Sequence, residues 1–578
     1  MKKIFLPLTA LAVLAFASCT KVPKDGIHTL TLLTTNDVHG TWFDSTYVGH
    51  GTRRSLLAIN TIIDSVRAAD GKGNVVLVDA GDCLQGDNAP YYYNYVDTLS
   101  PHLFPRLMSY MGYDAIAVGN HDIETGHPVY DRIAKELKAK GIPFLAGNAI
   151  RTSDGKPYFP VYTMLKRAGL RVAVLGYTNA NMKEWLQEEI WSGMTFESLI
   201  PLVQNDVDRV RAKEKPDVVI VAVHSGNGNG DGRMLEGEGL DLLNTLHGVD
   251  FLVCSHDHRP SLVSRDSILL INSGSHSRNV GFGKIEVTVK DGKVVDRKLS
   301  SRLIPVRREF SDSVMRKAFQ SDYEAVKAFT LNPVGTLQED FATREAFRGM
   351  SPYINFIHTL CLEASGADIS FAAPLSYNKT IKAGTLVFND LFTLYPFENQ
   401  LFVLRMNGRE IKGYLEDSYD SWLAAPGGAH ALLIQKRDDP RTGQANWSFI
   451  GRTYNFSSAA GINYTVDITK PRGERITILS MADGSEFGLD REYNVAMTSY
   501  RASGGGGMLY RGAGIEDPSE RIVRKYPEIR NLIYDYLKKH GKISAESEKP
   551  SVLGEWKFIP EDMAAKAIDA DMALVFGN

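Results

Sequence analysis

The chain has 578 residues, 43% hydrophobic and 23% charged, a globular balance that excludes wholesale disorder. At that length roughly two to four domains are expected, and the formal net charge of −3 excludes a strongly basic nucleic-acid coater. Four cysteines cannot build a disulfide scaffold, whereas fourteen histidines, several beside Asp, Asn and Gly, direct attention to metal chemistry.

Residues 1–19 read as an export segment. Lys2 and Lys3 precede an apolar run from Ile4 to Phe16, then Ala17, Ser18 and Cys19. The run is shorter than the about 20 residues of a spanning helix. Small residues before a cysteine are similar to the signal of bacterial lipoproteins, so Cys19 is the expected lipidation site. The mature chain is expected to be exported, periplasmic or at the cell surface, and held to the membrane by lipid alone. Cys83, Cys254 and Cys361 then remain, and three thiols cannot all pair within one chain.

Beyond a short tether come six apolar runs, five of which break into a polar cluster. Thr29 to Thr35 ends in Asn36-Asp37-Val38-His39-Gly40, and Asn74 to Val78 ends in Asp79-Ala80-Gly81-Asp82. Asp114 to Val118 ends in Gly119-Asn120-His121-Asp122. Arg171 to Leu175 follows. Asp217 to Val223 ends in His224-Ser225-Gly226, and Phe251 to Cys254 in Ser255-His256-Asp257-His258. Such runs are strands buried on both faces. Helical stretches between them, including Arg53 to Ala69 and Val129 to Lys140, predict an α/β domain over residues 28–303. Open α/β sheets carry their sites at the C-terminal ends of strands, where these clusters fall. A charged stretch predicts an exposed linker helix in 304–334, a natural hinge. A second domain spans 335–545, with helices at Tyr353 to Glu363 and Arg409 to Asp417 and strands at Ile462 to Ile468 and Tyr493 to Thr498. Residues 546–578 form a tail that carries Trp556 and Phe558, with no assigned role.

Seven side chains stand at strand ends: Asp37, His39, Asp82, Asn120, His224, His256 and His258. Asp37 with His39, and His256 with His258, are two apart, which in extended backbone places both on one side. An oxygen and nitrogen donor set without thiolate suits Zn, Mn, Co or Fe. Seven donors exceed one tetrahedral ion and suit two divalent ions that share a carboxylate.

These blocks, in this order, resemble the calcineurin-like metallophosphoesterases, and with the second domain the chain is similar to the 5'-nucleotidase family. The resemblance implies a four-layer α/β/β/α sandwich followed by an α+β substrate domain. It implies Asp37, His39 and His258 on a first ion, Asn120, His224 and His256 on a second, and Asp82 between them. It implies His121 as a catalytic histidine oriented by an acid three residues later, Glu124 here, where 5'-nucleotidases carry Asp; Asp122 is the rival acid. The implied reaction is attack on phosphorus by a metal-activated hydroxide, with His121 stabilising the leaving group.

In the second domain Tyr500-Arg501-Ala502-Ser503 leads into Gly504 to Gly507, a run that permits close ligand approach. The family stacks a nucleobase between two rings; Tyr500 matches one position and Phe456 the other, with Tyr454 a close competitor. The Asn-Gly-Gly-Gly-Ile-Arg of 5'-nucleotidases is replaced here by Phe371-Ala372-Ala373-Pro374-Leu375-Ser376. That segment, Tyr395-Pro396 and the Tyr-Arg-Ala glycine run look more like the 2',3'-cyclic-nucleotide 2'-phosphodiesterase/3'-nucleotidase branch. Arg405, Arg409 and Arg501 are possible phosphate or ribose contacts. The expected function is therefore an exported dinuclear phosphoesterase for 2',3'-cyclic and 3'-nucleotides, with nucleotides and not nucleic acid polymers as partners. The alternatives are a 5'-nucleotidase or UDP-sugar hydrolase, and a surface binding protein on a phosphatase fold.

Overall fold

A computed structural model describes residues 23–49, 51–397, 399–438, 445–544 and 550–577; Cys19 and the rest of the expected export segment lie outside them. The N-terminal domain is built from two six-stranded sheets. One runs, in spatial order, Lys293–Pro305, Asn279–Lys290, Gly26–Thr35, Val75–Asp79, Ala115–Ala117, Phe144–Leu145. The other runs Ser261–Arg265, Ile268–Asn272, Phe251–Cys254, Val218–Val223, Leu170–Tyr177, Tyr162–Arg167. Period-two alternation sorts one strand into two cores: Val218, Ile220 and Ala222 face the space between the sheets, while Val219, Val221 and Val223 face the outer helices. Both faces are apolar, so the run is continuous in sequence. Leu56–Asp70, Leu103–Met111 and His127–Ala139 cover the first sheet, and Leu199–Glu214 and Gly239–Thr245 the second. Four layers result.

The central strands of each sheet are parallel. Their C-terminal ends therefore share one rim, and the loops at 36–40, 80–83, 119–122, 224–226 and 255–258 meet there.

The segment expected to be an exposed linker is part of this domain. Helices Ser313–Ala318 and Gln320–Thr330 bury Met315, Phe319 and Val326 in the N-terminal core. Asp322 there accepts from Arg106 at 2.6 Å and from Tyr93 at 2.6 Å. An apolar stripe explains the difference, since Arg316, Lys317 and Glu324 lie on the outer side while the stripe and Asp322 dock. The crossing to the second domain comes after Thr330, at the strand Pro333–Leu337.

The C-terminal domain centres on a five-stranded sheet ordered Ser458–Ala460, Ile369–Ala372, Glu492–Thr498, Gln400–Asn407, Ile522–Glu528. Helix Gly408–Trp422 packs on it, started by a capping box in which Asn407 accepts from the backbone N–H of Glu410 and Glu410 returns the bond. The tail past residue 545 belongs to this domain. Trp556–Ile559 adds in parallel to Ile462–Asp467, and helix Glu561–Phe576 covers the same core with Ala564, Ile568 and Met572. Cys83, Cys254 and Cys361 are buried free thiols. Among the described residues no helix is long and apolar enough to cross a membrane.

Candidate metal centre and interdomain cleft

The rim loops bring the seven strand-end residues into two groups. Asp37, His39 and His258 offer ligand atoms within 4.8 Å of one another, and so do Asp82, His224 and His256. His39 Nε2 and His258 Nε2 face each other at 2.9 Å. Asn120 Oδ1 lies 3.0 Å from His224 Nε2 and 2.9 Å from His256 Nδ1, which adds a neutral oxygen to the second group.

The route by which i and i+2 converge differs from the extended geometry expected. Asp37, His39, Asp82, His256 and His258 all have positive φ, between 44° and 69°. Non-glycine residues rarely adopt this region, and they concentrate at functional sites. The strand Gly26–Thr35 stops before Asp37, and left-handed turns then fold the donors inward. Two glycines make room. A Cβ on Gly81 would stand 2.6 Å from Gly119 N and 2.8 Å from His224 Nδ1, and one on Gly119 would collide with Asp82 Oδ1.

Asp82 lies at the centre of the arrangement. Its Oδ1 accepts the backbone N–H of His121 at 2.9 Å. Its Oδ2 lies 3.0 Å from His224 Nε2, is fully buried, and makes no aligned hydrogen bond. The donors fit a divalent cation. Burial first, then neighbouring imidazoles, holds His39 well below the usual range, His256 at about 3 and His258 at about 4, so these rings are neutral, the form that ligates. His224 is the exception: burial would lower it, but Asp82, Asp37 and the Ala80 carbonyl together outweigh burial and hold it at about 9. His224 Nδ1 bonds Ala80 O at 2.7 Å, which fixes the ring with Nε2 toward Asp82.

His121 Nδ1 lies 2.6 Å from Glu124 Oε2, with both side chains largely buried. The rival acid is otherwise engaged, since Asp122 accepts four backbone N–H groups, from Asp82, Cys83, Leu84 and Gly119.

The C-terminal domain faces this rim. Gln400 donates to Glu124 Oε1 at 3.0 Å, Gln85 donates to Glu528 at 3.0 Å, and Lys525 donates to Lys183 O at 2.7 Å. Tyr500 is 43% exposed, and the charge of Glu236 in the N-terminal domain reaches its hydroxyl. Phe456 corrects the sequence expectation. It is completely buried, stacked on Trp422 with centroids 5.3 Å apart, and edge-on to Phe347 and Phe449. It offers no face to a ligand. Tyr454, two residues earlier, is the ring edge-on to Tyr500 at 6.0 Å, and Phe397 flanks it at 6.3 Å. Arg501 is also buried, and it donates to Gly505 O, Tyr454 O and Asn455 Oδ1, tying the glycine run to the Tyr454 segment. Arg409 pairs with Asp490 and Arg405 lies near Glu492.

Sequence reasoning passed over three residues here. His276 stacks on His39 at 5.1 Å; it follows the strand Ile268–Asn272 as the other clusters follow theirs, which was a usable signal. Trp185 stacks on His256 at 5.0 Å, and Gln400 reaches Glu124 from 276 residues away; no local pattern marks either.

Comparison with known proteins agrees with this architecture. Residues 30–260 match the calcineurin-like phosphoesterases and residues 333–511 the 5'-nucleotidase C-terminal domain. The chain thus joins a calcineurin-like phosphoesterase domain to a 5'-nucleotidase C-terminal domain, and its homologues are phosphoesterase and nucleotidase hydrolases of the metallophosphoesterase superfamily, a family that implies divalent metal. Among its relatives is a 2',3'-cyclic-nucleotide 2'-phosphodiesterase/3'-nucleotidase of Yersinia enterocolitica, 22% identical over 94% of this chain and 90% of that protein. Another is a trifunctional nucleotide phosphoesterase of Bacillus subtilis, 23% identical over 92% of this chain, which spans 39% of that longer protein. A putative 5'-nucleotidase from Staphylococcus aureus has a similar fold, with a TM-score of 0.70, 21% identity, and coverage of 92% of this chain and 99% of that one.

Proposed function

We propose that the chain is an exported dinuclear metallophosphoesterase that hydrolyses nucleotides, 2',3'-cyclic and 3'-nucleotides among them, to nucleosides and phosphate. The observation that carries the reading is Asp82: one buried carboxylate, with Oδ2 3.0 Å from His224 Nε2, whose charge reaches His224 and His256 of one ligand group and His39 and His258 of the other. A shared carboxylate is what two adjacent cations require. Asp37, His39 and His258 would hold one ion, Asn120, His224 and His256 the other. Bound divalent cations supply Lewis acidity, charge for the phosphoryl oxygens and a more acidic water. The remaining work falls to the protein. Glu124 holds His121 Nδ1, so the proton that the ring delivers to the leaving oxygen is the one on Nε2. Tyr454 and Tyr500 would receive the base, which places the substrate across the cleft.

The 2',3'-cyclic and 3' preference is supported by the Ala372-Ala373-Pro374 segment in place of an Arg-bearing glycine turn and by the Yersinia relative. The 5'-nucleotidase reading has support of equal weight in the C-terminal domain family and in the acid three residues after His121. Export and lipidation at Cys19 are proposed from the sequence alone. A panel of 5'-, 3'- and 2',3'-cyclic nucleotides, with p-nitrophenyl phosphate and metal analysis, tests the reading. Hydrolysis of the cyclic and 3' substrates with about two metals per chain is the expected result. A metal-free protein inert on every ester would leave the binding-protein alternative standing.

A further inference from the structure

Gln400 begins the strand Gln400–Asn407 and is 3% exposed. Its Nε2 donates across the domain boundary to Glu124 Oε1 at 3.0 Å, while Glu124 Oε2 holds His121 Nδ1 at 2.6 Å. One carboxylate thus joins a side chain of the C-terminal domain to the histidine beside the metal ligands. Only the NH2 end of an amide can face a carboxylate, so the orientation of Gln400 is set by chemistry. The cost of that orientation is visible, because Gln400 Oε1 is buried without a hydrogen-bond partner. Gln400 is itself anchored beside the base-recognition segment. Its backbone N–H donates to Ser499 Oγ at 3.1 Å, and Ser499 immediately precedes Tyr500.

We propose that Gln400 is a positioning residue that acts through Glu124 on His121 and completes the dyad when the C-terminal domain is seated against the rim. Glutamate has one more rotatable bond than aspartate and so more freedom to lose. A charge-assisted bond to its second oxygen removes that freedom. The turn that carries Tyr500 and the dyad are thereby linked, since Gln400 bonds both Ser499 Oγ and Glu124 Oε1. The inference rests on the phosphoesterase reading above.

The test is Gln400→Met, which keeps length and removes the donor, alongside Gln400→Asn, which keeps the amide but falls short by one methylene. Steady-state kinetics are measured with p-nitrophenyl phosphate and with a nucleotide. Loss of one hydrogen bond to a charged group predicts that kcat falls roughly 10–100-fold on both substrates. KM and metal content should be nearly unchanged. In a Glu124→Ala background Gln400→Met should cost nothing further, because the group it acts through is gone. Unchanged kcat in either single variant, or losses that multiply in the double variant, overturns the proposal. A wild-type chain inert on all phosphoesters instead overturns the functional reading, so the two failures are distinct.

Discussion

Asp122 Oδ2 accepts the backbone N–H of Asp82 at 3.0 Å, so the acid adjacent to His121 serves the loop that carries the central carboxylate and not the histidine. Its Oδ1 takes the next two amides, of Cys83 and Leu84, and Oδ2 also takes Gly119. Two rim loops are thereby fixed to each other, and Asp82 projects from that frame with Oδ2 toward His224.

Asp82→Ala should therefore remove the shared ligand and leave the frame standing, because Asp122 bonds the backbone of residue 82 and not its side chain. Outer-shell partners of metal ligands typically cost about 10–100-fold when lost, and a direct ligand should exceed that. Turnover is expected to fall by more than about 100-fold, bound metal to drop, and the circular dichroism spectrum to stay unchanged. Full activity with two bound ions in this variant would refute the shared-carboxylate assignment.

The dyad variants separate chemistry from metal binding. His121→Ala should retain metal and lose turnover by about 10²–10⁴-fold, the scale of general acid–base groups. Glu124→Gln keeps a group that can face Nδ1 but forfeits the charge, so a smaller loss is expected. Metal analysis decides: if His121→Ala strips the ions, His121 is a ligand.

What the sequence made legible were features written locally. Runs such as Val218 to Val223 are apolar at every position because both faces are buried, and the polar clusters mark where those runs end. All seven strand-end residues come together in the fold because parallel strands share a rim. The left-handed turns at Asp37 and His258 were not legible, since a backbone angle of a non-glycine residue leaves no composition signal. The choice between Phe456 and Tyr454 hinged on which of two nearby rings turns inward, and the three-residue 3-10 turn Thr453–Asn455 decides it. The docking of Ser313–Ala318 and Gln320–Thr330 was hidden because the exposed Arg316, Lys317 and Glu324 interrupt a short apolar stripe.

His358 gives the C-terminal domain a pH dependence of its own. The ring is buried between Ser370 Oγ at 3.1 Å and Ser458 Oγ at 3.0 Å, and burial pushes its pKa down to about 3. The folded value lies below the unfolded one of about 6.5, so the unfolded chain binds the extra proton between those values. Stability must then rise with pH from about 3 to about 6.5 and level off above, with a limiting slope of about 1.4 kcal/mol per pH unit. In His358→Gln the slope of the unfolding midpoint between pH 4.5 and 6.5, measured in urea, should be shallower than in the wild type. Identical slopes would show that His358 does not carry the effect.

Base recognition can be separated from both the dyad and the fold by comparing three rings. Tyr454 and Tyr500 meet edge-on at 6.0 Å, whereas Phe456 lies wholly in the core against Trp422. If the two tyrosines receive a base, replacing both with Ala should raise KM for nucleotides by roughly 10–100-fold, from about 1–3 kcal/mol for the one stacked base. Hydrolysis of p-nitrophenyl phosphate, which carries no nucleobase, should change little because the metal ligands are untouched. Phe456→Ala should do the opposite. It empties a buried site, should cost about 3–5 kcal/mol of stability, and should lower both activities in proportion to the folded fraction. Arg501→Met should resemble the tyrosine pair in direction, since its guanidinium ties the Tyr454 backbone to Gly505 and so sets the distance between the rings. The ratio of nucleotide to p-nitrophenyl phosphate efficiency is the deciding measurement. If that ratio falls in the Phe456 variant and holds in the tyrosine pair, the base does not bind between Tyr454 and Tyr500.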